Sequence, residues 1–304
     1  MAVLRKSIEP QTFLSPPDQP QAAILLLTFN RSEPTCELLA WLLDATNRTI
    51  YLASDGPRPG NIRDTTEVSK IREFAASVSK ERIRTRFREQ NLGCKKAVED
   101  ALDWFFSEEE FGIILEDDLV PHISFFSFCD YYLCSAHENE RIWQICGYNP
   151  FSCQEQDFVA MLGQTWGWAT WRDRWQHYRK NGSVRISFLR TSRALGFVPA
   201  VHRYAELRWN ALLAAAGIIS SWAYPWATAR LATNALTVLP PKNLVAVNTA
   251  LEGTHTRSRS FEESPDVQEW KKPASNSLSY EPLFDTNRAR LASPFRIKGR
   301  GLPM

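Results

Sequence analysis

From Ala22 the chain runs AAILLLTF (22–29), apolar or small except for Thr28, and then breaks into Asn30-Arg31-Ser32. A run of that kind predicts a strand buried on both faces, followed by a turn. Apolar positions then recur at helical spacing through Leu43, which predicts a helix. The alternation repeats, with strands predicted over 49–54, 82–87, 112–115 and 142–146 and helices over 65–78, 94–106 and 123–136. Strands without polar alternation, separated by helices, predict an α/β fold with a mostly parallel, Rossmann-like sheet flanked by helices. The C-terminal half is less regular. Helices are expected around 201–216 and 222–233, and short strands around 236–239 and 244–247.

Pro10, Pro16, Pro17 and Pro20 make 1–21 read as an extended arm. The domain proper is expected over 22–256, divided into halves 22–118 and 119–256. Spaced prolines and mixed charge over 257–304 read as a tail that wraps the domain or is partly mobile.

Composition narrows the partners. With 304 residues, 44% hydrophobic and 23% charged, the chain can bury a substantial core. Lys and Arg number 36 against 34 Asp and Glu, so no broad field favours nucleic acid or an anionic membrane. The six cysteines form no C-x-x-C pair and no zinc spacing. With no apolar leader and no transmembrane-length apolar window, the expected setting is cytoplasmic.

Five features carry candidate chemistry. In GIILEDD (112–118), Glu116, Asp117 and Asp118 follow a buried strand directly. Three adjacent carboxylates repel unless a cation sits among them, and hard ions such as Mg²⁺ or Mn²⁺ accept carboxylate oxygens while sharing ligand phosphates. The plain alternative is an acidic turn leading into the next helix. Asp55-Gly56 follows the second strand, where a carboxylate can accept from a uracil N–H or a ribose hydroxyl, or simply form a D-G turn. Arg31 and the Lys95-Lys96 pair are candidates for phosphate, with surface solvation the alternative for the lysines. Trp166, Trp168, Trp171 and Trp175 suit either a core or a sugar-stacking face. His255 is a weak candidate for a further metal ligand or a diphosphate contact.

Taken together, LLTFNR (26–31), ASDGPRPG (53–60), REQNLGCKKAV (88–98), ILEDDLVPHISFFSFC (114–129), TWGWATWRDRW (165–175) and KNLVAVN with THT (242–256) resemble a family. It is the GT-A-fold nucleotide-sugar glycosyltransferases, in particular bacterial relatives of the N-acetylglucosaminyltransferase I class. The resemblance implies transfer of a hexose or N-acetylhexosamine from a UDP-sugar to an acceptor hydroxyl on a glycan, glycolipid or small molecule, with inversion. It implies Asp118 as direct Mn²⁺ (or Mg²⁺) ligand within a D-x-D-type motif, with His255 beside it. Thr28, Phe29, Asn30, Arg31, Asp55, Gly56, Asn91, Gly93, Lys95, Glu116 and Asp117 then belong to the donor site, with Asp55 reading the uridine and Arg31 on the diphosphate. Trp166, Gly167, Trp168 and Trp222 border sugar and acceptor.

One position departs from that pattern. Related sequences carry a Trp-Asp pair where this chain has Trp222-Ala223, and the aspartate is the expected base. Alanine cannot take a proton from the attacking hydroxyl. Three readings stay open: an engineered inactive variant, a different carboxylate such as Asp173, Glu206 or Glu252, or a protein that binds donor without turnover. A sugar-phosphate nucleotidyltransferase is less well supported, because Thr28-Phe29-Asn30-Arg31-Ser32 lacks the glycine-rich loop such enzymes need.

Overall fold

Strand β1 (Ala23–Thr28) is buried along its whole length because it lies inside a sheet covered on both faces. The computed structural model describes residues 20–78, 81–149, 155–161, 163–181, 209–214, 216–247, 269–272 and 278–280. Alternate β1 side chains go to opposite faces. Ile24 and Leu26 join Leu38, Leu39, Leu42 and Ile71 in one core, while Leu25 and Leu27 join Leu102, Phe105 and Trp168 in the other.

Helices α1 (Ser32–Ala45), α2 (Ile62–Ser77) and α3 (Cys94–Glu108) alternate with β2 (Ile50–Ser54), β3 (Ile83–Phe87) and β4 (Phe111–Glu116). Strands β2 and β4 flank β1 in parallel, with Leu26 opposite both Leu52 and Leu115. At the edge, β3 pairs with β2 and presents Arg84 and Arg86, charges that discourage a further strand from adding.

The second half adds β5 (Leu119–Pro121), α4 (Ser124–Ser135), β6 (Ile142–Cys146), β7 (Phe158–Ala160), β8 (Trp168–Trp171) and α5 (Arg172–Asn181). It continues with α6 (Ala223–Ala232), β9 (Leu236–Leu239), β10 (Val245–Val247) and β11 (Ser279–Tyr280). Among the described residues the main sheet has nine strands in the order β11-β7-β9-β6-β8-β4-β1-β2-β3. It crosses both expected halves and takes its outermost strand from the tail. Strand β8 runs antiparallel between β4 and β6, and β7 antiparallel to β9, so the sheet is mostly parallel and not wholly so.

Strands β5, β7, β8 and β11 and helix α5 have no counterpart in the periodicity. Three of those strands have three residues or fewer, too short to show a period, and Trp168-Ala-Thr-Trp171 reads from sequence as an aromatic cluster. Helix α2 starts at Ile62, ahead of the expected 65, because Asn61 caps it by accepting the Asp64 N–H at 3.1 Å. Of the helix expected over 201–216, residues 209–214 are helical; the remainder lies mostly outside the described residues, as does the arm up to residue 19.

Part of the tail is docked. Trp270 donates its backbone N–H to Ser124 Oγ (2.9 Å) and its indole N–H to the Asp157 carboxylate (2.9 Å), and its ring packs on Phe128 and Tyr131. At the start of β1, buried Arg48 holds Asp130 with two hydrogen bonds (2.5 and 2.9 Å) and donates to the Ala22 carbonyl (2.8 Å), tying the lead-in of that strand to α4. Among the described residues no helix is long and apolar enough to cross a membrane.

Candidate functional site

Parallel strands β1, β2 and β4 lie side by side, so the segments after Thr28, Ser54 and Glu116 emerge along one edge. Helix α3 starts at the same edge. The thiol of its first residue, Cys94, is pushed up to about 12 by burial and then by the charges of Glu116 and Asp55. The two strand-end carboxylates therefore act on one helix start.

The acidic triplet already holds a cation, the guanidinium of Arg31. Its Nη2 contacts Asp117 Oδ1 and its Nη1 donates to Asp118 Oδ2 at 3.2 Å. Thr35, one turn into α1, donates its hydroxyl to Asp117 Oδ2 at 3.3 Å. Asp117 is almost wholly enclosed, whereas Asp118 keeps 23% of its side chain exposed. Burial pushes the Asp117 carboxyl up to about 6, and the opposing pull of Arg31 only partly offsets it. Glu116 is raised well above the usual carboxylate range, by burial first and then by the charges of Asp118 and Asp117. One guanidinium thus faces three carboxyls.

Whether this donor set suits a divalent ion can be judged from its chemistry. Asp118 offers hard oxygens at a partly open position, and the surplus negative charge favours a cation. Among the described residues no three His, Cys, Asp or Glu side chains converge to form a complete cage. The set therefore fits an ion that takes one or two carboxylates and completes its shell with water and ligand phosphates, the habit of Mg²⁺ and Mn²⁺.

Asp55 is engaged on every side. Oδ1 accepts the N–H of Gly56 (2.8 Å) and Leu92 (2.9 Å), and Oδ2 accepts Asn91 Nδ2 (3.0 Å) and the Gly93 N–H (3.1 Å). Burial raises its carboxyl, and those backbone donors pull it back. With four donors in place, the carboxylate orders the 91–93 loop, and a uracil would have to displace one of them. Gly56 is required by the same crossing, since a Cβ there would lie 2.5 Å from the backbone of Gln90. Gly93, at φ +77°, turns the chain into α3.

The other predicted donor residues divide. Thr28 donates its hydroxyl to the Ala53 carbonyl (3.1 Å) and closes the strand ends. Asn30 donates to Asp64 Oδ1 (2.8 Å), and Phe29 lies beneath the Arg58 guanidinium at 5.6 Å, so both face α2. Lys95 reaches the Ala214 carbonyl with Nζ (3.1 Å) and is spoken for in this arrangement.

The tryptophans divide as well. Trp168 and Trp222 are buried and stacked on each other at 5.4 Å and 22°, which places both rings in the core. Trp166 stays partly exposed and sits edge-on to Tyr148 (4.8 Å). Gly167, at φ +62°, has no room for a Cβ because Val245 would lie 2.6 Å away. That contact seats β10, whose Val247 pairs with Leu119 directly after the triplet.

Ala223 opens α6, half-buried, with no acidic residue in the first turn. Asp173 is at the wrong edge. Trp171 pairs with Phe111 at the start of β4, five residues before Glu116, so Asp173 lies roughly 16 Å or more along the strand direction from the triplet. It binds Arg174 there. Glu206, Glu252 and His255 lie outside the described residues. Thr35 and Asp64 belong to no motif, and each acts through a partner distant in the chain, Asp117 for Thr35 and Asn30 for Asp64.

No family model matches the chain, and no curated protein matches it in sequence. Among solved structures it is similar to a mannosyltransferase from Pyrobaculum calidifontis, determined in complex with GDP-mannose and Mn²⁺. Identity is 12% over 76% of this chain and 79% of that one, with a TM-score of 0.37.

Proposed function

We propose that the chain is a metal-dependent glycosyltransferase of GT-A type that takes a UDP-sugar and transfers the sugar to an acceptor hydroxyl. The observation that carries this reading is the acidic triplet at the end of β4, with Asp118 partly open and Arg31 at its side. In this reading Asp118 holds Mn²⁺ or Mg²⁺, with His255 a further candidate ligand. The ion supplies Lewis-acid stabilisation of charge on the departing diphosphate. Arg31 binds the same diphosphate by charge-assisted hydrogen bonds. Asp55 contributes by holding the 91–93 loop and the start of α3 against the donor, and Trp166 borders sugar and acceptor.

The acceptor proton needs a base if the transfer inverts. Ala223 cannot serve and Asp173 is on the far edge, which leaves Glu206 and Glu252 as the carboxylates to test. The lack of any acidic residue in the first turn of α6 favours one second reading, a protein that binds donor without transferring it. A cytoplasmic setting is part of the proposal.

Calorimetry with UDP, with and without Mn²⁺, followed by an acceptor screen, tests both readings. Metal-dependent UDP binding with transfer supports the enzyme. Metal-dependent binding without transfer to any acceptor supports the second reading. UDP binding that ignores the metal overturns the site.

A further inference from the structure

Arg88 ties several elements together where the chain enters the 91–93 loop. Its backbone N–H donates to the Ser54 carbonyl (3.0 Å), one residue before Asp55, and its own carbonyl accepts from Arg72 of α2. Its side chain shares Asp100 of α3 with Arg86 of β3; the Nε of Arg88 donates at 2.8 Å and that of Arg86 at 2.9 Å, both to Oδ2. Two guanidiniums on one carboxylate leave one positive charge over. It borders a cavity of about 40 Å³ lined by Arg86, Arg88 and Asp100 together with Ser54 and Asp55. Space of that size admits no more than a few waters, so the attraction between Arg88 and Asp55 is screened less than it would be in open solvent.

The arrangement around Asp55 requires its ionised form. Donors from Gly56, Asn91, Leu92 and Gly93 converge on its two oxygens, so a proton on either oxygen would face an N–H. Burial pushes the carboxyl toward the protonated form, and the backbone donors and then the charge of Arg88 pull it back. The other groups nearby offer less. Asp100 is itself negative and held by both arginines, Arg86 shares that pairing, and the Cys94 thiol at the start of α3 is raised by burial and by Glu116 and Asp55, so it stays neutral. We infer that Arg88 is a positioning residue of the proposed donor site: from across the cavity its guanidinium keeps Asp55 ionised, and through Asp55 it keeps the 91–93 loop closed against the start of α3. Its purpose rests on the donor-site reading; its mechanism needs only the chain's own groups.

Two readouts on the full chain without nucleotide test this: the pH midpoint of Asp55, followed by carboxyl-carbon NMR, and the amide-exchange protection of Leu92 and Gly93 across the same pH range. Arg88→Met is expected to raise the Asp55 midpoint by about half a pH unit or more, since a favourable charge has been removed. Protection of Leu92 and Gly93 should fall at least about threefold near that midpoint, and its loss on acidification should begin at a higher pH than in the unaltered chain. Arg88→Gln keeps a donor for Asp100 without the charge; it should shift both readouts in the same direction, and it decides the matter if the Met variant does not fold. Arg88→Lys restores the charge without the planar fork and should bring the midpoint and most of the protection back. An Asp55 midpoint that stays put in a folded Met or Gln variant overturns the assignment. So does a loss of protection that Lys fails to rescue, which would make Arg88 a clamp on Asp100 and nothing more. UDP calorimetry on the same proteins separates the two readings: if midpoint and protection shift as expected while the unaltered chain binds no UDP, Arg88 positions the loop and the donor site is what falls.

Discussion

The hydroxyl of Ser220 accepts the backbone N–H of Lys95 at 3.1 Å, joining the first turn of α3 to the lead-in of α6. The same oxygen lies 3.4 Å from where a Cβ on Gly93 would sit. Gly93 in turn donates to Asp55. A short chain of contacts therefore links the end of β2, the 91–93 loop and the residues just before Ala223. Trp222 and Trp226 pack in the same core behind them.

Asp118→Asn removes the charge at the partly open end of the triplet but keeps its shape. UDP binding is expected to persist weakly and to lose its response to Mn²⁺. Calorimetry at fixed UDP with increasing Mn²⁺ measures this; an unchanged metal response would show that Asp118 is not the ligand.

Asp55→Ala leaves the N–H groups of Gly56, Leu92 and Gly93 and the Asn91 amide without their acceptor. Orphaned buried donors typically cost about 1–3 kcal/mol of stability, and the loosened 91–93 loop should weaken UDP binding while the fold survives. Amide hydrogen exchange at Leu92 and Gly93 should speed up in the free protein. If affinity falls but exchange does not change, Asp55 contacts the nucleotide directly and does not act by ordering the loop.

The strand cores and the triplet were legible in the sequence, and the wiring between them was not. Strands β1, β2 and β4 show as apolar runs because both faces of the sheet are covered, and the polar residues at their ends stand out for the same reason. Arg31 meets Asp117 across 86 positions, and Asp55 meets Gly93 across 38, separations at which no periodicity acts. Trp168 and Trp222 looked available for a sugar because a tryptophan motif reads alike whether it lines a site or fills a core. Asp173 fails for a topological reason: the antiparallel course of β8 carries it to the opposite edge, and strand direction cannot be read from composition.

Acid should weaken the fold in a defined window. The Arg58 hydrogen bond holds the Asp64 carboxyl at about 2, and the Arg86 pair holds Asp100 at about 2. A carboxyl whose folded pKa is depressed stabilises the fold at every pH above its unfolded value, about 4, and that contribution is lost as pH falls toward the folded value. The thermal midpoint is expected to fall between about pH 4 and 2. Asp64→Asn and Asp100→Asn should each lower the midpoint at pH 7 and flatten the acid limb. Melting followed by circular dichroism from pH 7 to 2 checks this, and an acid limb as steep in both variants would assign the loss to other groups.

Ala223→Asp is expected to restore or greatly increase transfer with little change in donor affinity. The start of α6 is fixed by packing, with Trp222 stacked on Trp168 and the Trp226 indole donating to Gln144 Oε1 at 2.8 Å. A new side chain at 223 therefore projects from a rigid support, and a carboxylate in the first turn is favoured by the helix dipole. A base acts in the transition state more than in the ground state, so its effect belongs in turnover and hardly in donor binding. General-base catalysis is worth about 10²- to 10⁴-fold, which sets the gain to look for once an acceptor has been found. Ala223→Asn separates the causes, since it brings polarity without basicity and should stay at the level of the unaltered chain. If the chain with Ala223 already turns over at about 1 s⁻¹ or faster and aspartate adds nothing, the base lies elsewhere. Glu206→Gln and Glu252→Gln, made one at a time, would then identify it by a loss of turnover at unchanged UDP affinity.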